Sequence, residues 1–88
     1  MIKQQIEIIN QLGLHARASS KLVSLANNYK SSILLTKDNK QANAKSIMAV
    51  MMLAANKGSI IHIIVDGEDE EVALQNLCQL INDKFGEE

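Results

Sequence analysis

Across the stretch IKQQIEII, residues 2–9, Ile2, Ile6 and Ile8 fall on one side of an extended chain, with Lys3, Gln5 and Glu7 on the other. A period of two predicts a strand covered on one face. Asn10-Gln11-Leu12-Gly13 interrupts it. From about Ala16 the period becomes helical, with Ala18, Leu22, Ala26 and Tyr29 near one stripe and Asn27-Asn28 at its end. SSILLTK and KQANA flank Asp38-Asn39, which predicts two strands joined by a tight turn, the second short and polar enough to form an edge.

Ser46 then precedes Ile47, Val50, Met51 and Ala54 at helical spacing. A second helix of about three turns is expected between a serine cap and Gly58. SIIHIIVDG is the strongest strand, with Ile61, Ile63 and Val65 on one face and Ile60, His62 and Ile64 on the other. The last helix opens in GEDEE, where carboxylates suit the positive end of the helix dipole. It is expected to bury Leu74, Leu77, Cys78, Ile81 and Phe85, while Gly86-Glu87-Glu88 frays.

The order β-α-β-β-α-β-α predicts an α+β fold: an open-faced β-sandwich in which three helices cover one face of a four-stranded, largely antiparallel sheet. At 88 residues and 47% hydrophobic content, residues 1–88 suffice for one domain with one core, and not for two. Tyr29 and Phe85 are the only aromatics, so the core must be aliphatic and stacking platforms for single-stranded nucleic acid are missing. Nine basic against ten acidic residues leave a net charge of −1, too little field to steer the chain to DNA or an anionic membrane. No nucleic-acid partner and no membrane insertion are expected. MIKQQ runs straight into the strand pattern without a signal peptide, so a cytoplasmic address is expected. Cys78 stands alone, which suits a small buried or half-buried hydrophobe and argues against a metal site.

Chemistry concentrates in GLHARASS, residues 13–20. With His15 as N-cap, the free N–H groups of Ala16, Arg17 and Ala18 lie beside the imidazole and add to the positive end of the helix dipole. That is an anion site. Arg17 supplies a forked, permanent cation that matches phosphate oxygens, and Gly13 permits the sharp turn that presents the ring. A neutral imidazole nitrogen is a competent nucleophile toward an activated phosphoryl group. No glycine-rich nucleotide loop and no acidic pair for Mg²⁺ accompany it, and His62 sits mid-strand, pointing to solvent from the uncovered face. The chain can thus carry a phosphoryl group without binding a nucleotide, and no cofactor is expected. An interaction or ligand-binding domain with His15 as an incidental cap would share the local pattern.

GLHAR between the first strand and first helix, with KSIMAVMML opening the second helix and DGEDEE opening the last, resembles the histidine-containing phosphocarrier (HPr) family of the bacterial phosphotransferase system. The resemblance spans the whole chain. It implies that His15 accepts a phosphoryl group from Enzyme I, charged by phosphoenolpyruvate, and passes it to an Enzyme IIA of a sugar transporter. It implies attachment at Nδ1, with Arg17 and the amides at Ala16 and its neighbours holding the phosphate. It implies a second phosphorylation at Ser46 by an HPr kinase/phosphorylase. It also implies an apolar docking patch of Ile47, Met48 and Met51 with Ser20, Arg17, Lys21 and Lys45 around it. A phosphocarrier of the nitrogen-related, regulatory branch would look the same, and a monomer suits either shuttle. Ala18 stands where the family has proline, Ser20 where it has a small apolar residue, and Ala49 where glycine is common. Alanine at position 18 preserves the helix and loosens its start.

Overall fold

The computed structural model describes residues 1–87. Among them the chain forms β1 (Ile2–Glu7), α1 (Ala16–Ala26), β2 (Ser32–Lys37), β3 (Lys40–Asn43), α2 (Ile47–Met52), β4 (Ile60–Asp66), α3 (Glu70–Asn82) and a 3₁₀ turn, Lys84–Gly86. The sheet order is β1-β4-β2-β3 with every neighbouring pair antiparallel. β4 therefore lies between β1 and β2, the strands that α1 connects. The expected α+β open-faced sandwich is the observed architecture.

Register puts the apolar alternation of each strand on one face: Ile6 opposes Ile61, Leu35 opposes both Ile63 and Ala42, and Ile33 opposes Val65. A one-residue slip would send the whole set to solvent, so this alternation itself specifies the pairing. The helices cover that face with Leu22, Val23 and Ala26 from α1, Val50 from α2, and Ala73, Leu77 and Ile81 from α3, all buried. Each fully buried Leu or Ile side chain contributes roughly 1.5–3 kcal/mol of transfer free energy, so aliphatics alone can hold this core. Among the described residues no helix is long and apolar enough to cross a membrane.

Four boundaries differ from expectation. β1 stops at Glu7, yet Ile8 is fully buried and its backbone pairs outside the ladder, with Ser59 O at 2.9 Å and Gly58 N at 2.7 Å. α1 ends at Ala26, and Tyr29 lies half-buried beyond it, where its hydroxyl accepts from Asn76 Nδ2 at 2.6 Å. α2 has only six residues. It ends because Leu53 turns into the core while Ala54 takes a left-handed φ of 53°, which returns the Ala55 carbonyl to the Leu14 N–H at 2.9 Å. Leu53 rather than Ala54 thus occupies the buried position. Finally, Gly86 and Glu87 are ordered by a 3₁₀ turn instead of fraying, since Phe85 is buried beneath it; Glu88 lies outside the described residues.

The start of α3 carries a second fold-defining contact. Asp69 accepts from the Lys30 N–H at 2.9 Å, from the Ser31 N–H at 3.0 Å and from the buried Ser31 hydroxyl. The Ser31 hydroxyl first, then the Lys30 amide, holds this carboxyl below the usual carboxylate range against the opposing effect of burial, with the Ser31 amide adding a smaller share. A depressed folded-state pKa contributes stability above the unfolded pKa and loses it as pH falls through the folded value. Urea midpoints of the parent should therefore drop in acid below the ordinary aspartate range, and Asp69→Asn should lower the midpoint at neutral pH and flatten that slope. An Asp69→Asn slope equal to the parent's would remove Asp69 from the acid response.

Candidate functional site

The loop before α1 is built on Asn10 and Gly13. Asn10 is fully buried; its Nδ2 donates to Gly13 O at 2.8 Å, and Gly13 N donates back to Asn10 O at 3.1 Å. Gly13 has φ +65°, and a Cβ there would lie 2.6 Å from Ala55 O and 2.8 Å from Asn56 Cα. Both obstacles are backbone, so no other residue fits without moving the loop. The Ser19 hydroxyl donates to Leu14 O at 3.0 Å, and Ser19 N donates to His15 O at 2.8 Å, which starts the helix immediately after the histidine.

His15 is the N-cap, with extended backbone angles of −76° and −177°, and its side chain makes no capping hydrogen bond among the described residues. The N–H groups of Ala16, Arg17 and Ala18 take no acceptor among the described residues. Three unpaired donors at a helix mouth beside an imidazole are the arrangement on which the expected anion site depends. Ala16 and Arg17 are exposed there. Arg17, Lys21, Lys57 and Lys84 line a cleft with Asn10 and Glu87, so the surroundings are cationic on one side.

Two residues of this site were not legible in the sequence. Glu87 Oε2 contacts His15 Nε2, and Glu87 Oε1 accepts from Asn10 Nδ2 at 3.0 Å. The Asn10 amide and then the His15 contact, with the His15 and Arg17 charges adding to them, hold the Glu87 carboxyl below its ordinary range. It is ionised at neutral pH and can only accept. The proton of a neutral His15 ring therefore belongs on Nε2, an assignment that follows from the hydrogen-bond network, and the lone pair is on Nδ1.

The remaining expected residues divide into two groups. Ser20 and Lys21 lie on the exposed side of α1, and Lys21 Nζ donates to Phe85 O at 2.7 Å. Ser46 caps α2, its hydroxyl accepting from the Ala49 N–H at 3.4 Å. Ile47, Met48, Met51 and Met52 are 42, 70, 38 and 72% exposed, so α2 presents an apolar surface to which Met52 adds. Lys45 Nζ donates to Tyr29 O at 2.7 Å, and Lys45 O accepts from Asn27 at the C-terminal end of α1. His15 thus caps the start of α1, whereas Ser46 follows Lys45, whose carbonyl lies at the far end of that helix. They do not form one site.

Away from this region the chemistry is sparse. Cys78 is half-buried, and burial pushes its thiol up, away from the reactive thiolate. His62 is half-buried on the uncovered sheet face, between Gln5 and Thr36 on the adjacent strands. Among the described residues no three His, Cys, Asp or Glu side chains converge to hold a metal ion.

Comparison with known proteins gives a consistent result. The family model described as the PTS HPr component phosphorylation site matches residues 2–83. The phosphocarrier protein HPr of Neisseria meningitidis is 54% identical over 87 residues, covering 99% of this chain and 98% of that protein. The crystal structure of HPr-C-His from Thermoanaerobacter tengcongensis superposes with a TM-score of 0.97 at 45% identity, covering 100% of this chain and 99% of that one. The HPr dimer from the same organism gives a TM-score of 0.80 at 45% identity, covering 99% and 100% of the two chains.

Proposed function

Because the chain belongs to the HPr family, the phosphocarriers of the phosphotransferase system, we propose that His15 is the phosphoryl acceptor of a relay that runs from Enzyme I to Enzyme IIA of a sugar transporter. The observation that carries this reading is the imidazole at the N-cap of α1 beside three unpaired backbone donors. The His15 Nδ1 lone pair forms a bond to phosphorus while the bond from phosphorus to the donor nitrogen of Enzyme I breaks, its electron pair returning to that nitrogen. The amides at Ala16 and Arg17 and the Arg17 guanidinium receive the phosphoryl oxygens. The driving force comes with the phosphorylated donor. The reverse attack by Enzyme IIA discharges the ring.

The apolar surface of Ile47, Met48 and Met51 is the docking face for both partners, with Ser20, Lys21 and Lys45 around it; flexible methionines adapt to successive surfaces. Ser46 is a second acceptor, for an HPr kinase/phosphorylase, with its phosphate at the start of α2 beside the docking face. The relay operates in the cytoplasm with the chain as a monomer.

Intact mass under non-acidic conditions, after mixing with phosphoenolpyruvate, Mg²⁺ and Enzyme I, tests the reading. One acid-labile phosphate should appear and should leave on addition of Enzyme IIA. No phosphate with a cognate Enzyme I overturns it. Uptake from a nitrogen-type Enzyme I alone would move the chain to the regulatory branch, and an acid-stable phosphate after kinase and ATP would mark Ser46.

A further inference from the structure

We propose that Glu87 is a positioning residue for phosphoryl transfer. Held by Asn10, it keeps the His15 proton on Nε2, leaves the lone pair on Nδ1, and partners the ring cation that forms when Nδ1 is phosphorylated. This rests on His15 being the acceptor. It concerns a residue outside the matched family segment, which ends at residue 83.

The contacts form a closed chain. Both Asn10 Nδ2 hydrogens have acceptors, Gly13 O at 2.8 Å and Glu87 Oε1 at 3.0 Å, so the amide orientation is unambiguous. Both Glu87 oxygens are engaged, one by Asn10 and the other by His15 Nε2. A nucleophilic nitrogen whose opposite ring nitrogen is held by a carboxylate, itself oriented by a third group, follows the logic of a catalytic triad with the imidazole as nucleophile. Asn10 also ties the carboxylate to the Gly13 loop that places the ring, so the two ends of the chain of contacts cannot drift apart.

The backbone around Glu87 is constrained in the same sense. Lys84, Phe85 and Gly86 take consecutive left-handed φ values of 57°, 57° and 76°, a conformation that L side chains disfavour at the first two positions. Such strain persists where the surroundings over-determine it. Here Phe85 is buried in the core, Lys21 Nζ donates to its carbonyl at 2.7 Å, and Glu87 N donates to Lys84 O at 2.9 Å. The result of the strained turn is the delivery of the Glu87 carboxylate to a ring 72 positions away in sequence.

In the transfer step no proton moves. Nδ1 gives its lone pair to phosphorus, the donor nitrogen recovers the pair of the broken bond, and the Nε2 proton stays in place facing the carboxylate. The positive charge that develops on the His15 ring thus meets a fixed anion on the edge away from the incoming phosphoryl oxygens.

Full-length parent, Glu87→Gln and Glu87→Ala separate the roles. Ring ¹⁵N shifts of neutral His15 report the tautomer, and uptake from Enzyme I reports kcat and KM. Glu87→Ala should mix the tautomers and lower kcat roughly 10- to 100-fold, the cost typical of losing a partner that orients a histidine. KM should stay put. Glu87→Gln should keep the parent tautomer, because its amide oxygen still accepts, and still lose kcat, because the charge is gone. Unchanged ring shifts or unchanged kcat in Glu87→Ala overturn the proposal. A parent that takes no phosphate would fell the functional reading and this role with it, whereas a failure confined to the variants concerns Glu87 alone.

Discussion

Replacing His15 by alanine is expected to abolish phosphate uptake completely while leaving the fold intact. The intact mass of His15→Ala after phosphoenolpyruvate, Mg²⁺ and Enzyme I should equal that of the untreated protein. Loss should be total because the other histidine, His62, lies within a strand and not at a helix mouth, so it serves as an internal control. The fold should survive because the His15 side chain makes no capping bond among the described residues and is 26% exposed. Its backbone carbonyl still receives Ser19 N, so α1 keeps its start. Circular dichroism and the unfolding midpoint close to those of the parent, with no added phosphate, are the expected pair of results. A phosphate on His15→Ala would place the acceptor elsewhere.

The second large effect is on stability. Phe85 is 1% exposed and is the sole fully buried aromatic among the described residues. Phe85→Ala should cost about 3–5 kcal/mol, the usual range for deleting a buried ring and leaving part of its cavity behind. Against a total of about 5–15 kcal/mol for a small domain, that is a large fraction. In a chain of this size each kcal/mol shifts the melting temperature by about 4–8 °C, so the loss is easily read by calorimetry. It should also reach the site. Without its anchor, the left-handed turn at Lys84–Gly86 keeps only its two hydrogen-bond tethers, and the Glu87 carboxylate should be less firmly held at His15. Phe85→Leu retains most of the apolar volume and should cost much less. A Phe85→Ala midpoint within one degree of the parent's would mean that the ring contributes nothing to the core.

How far the sequence could be read depended on the range of the physics involved. Strand and helix identity was legible in β1, β4, α1 and α3 because side-chain period is a local property, and the inward sets Ile61, Ile63, Val65 and Leu77, Ile81 are buried as the pattern requires. The end of α2 was not legible. Ala54 continues the helical spacing, and only the return of Ala55 to Leu14 explains why the chain turns left-handed there. Gly86 and Glu87 looked like a polar end that frays, the normal fate of such residues when nothing ties them down. What ties them is a burial and two tethers that no local window contains.

His15, Arg17 and the unpaired amides of α1 are adjacent in the chain, so the amino-acid sequence by itself determined that an imidazole, a guanidinium and free backbone donors share one helix start, and the family to which the chain belongs. Asn10 and Glu87 are 77 positions apart and carry ordinary polar side chains that many surfaces would accept. Only the tertiary structure decided that they pair with each other and that Glu87 reaches the imidazole, because a hydrogen bond acts over about 3 Å of space whatever the distance along the chain. Burial of Phe85 beneath the turn Lys84–Gly86 converts that sequence separation into contact.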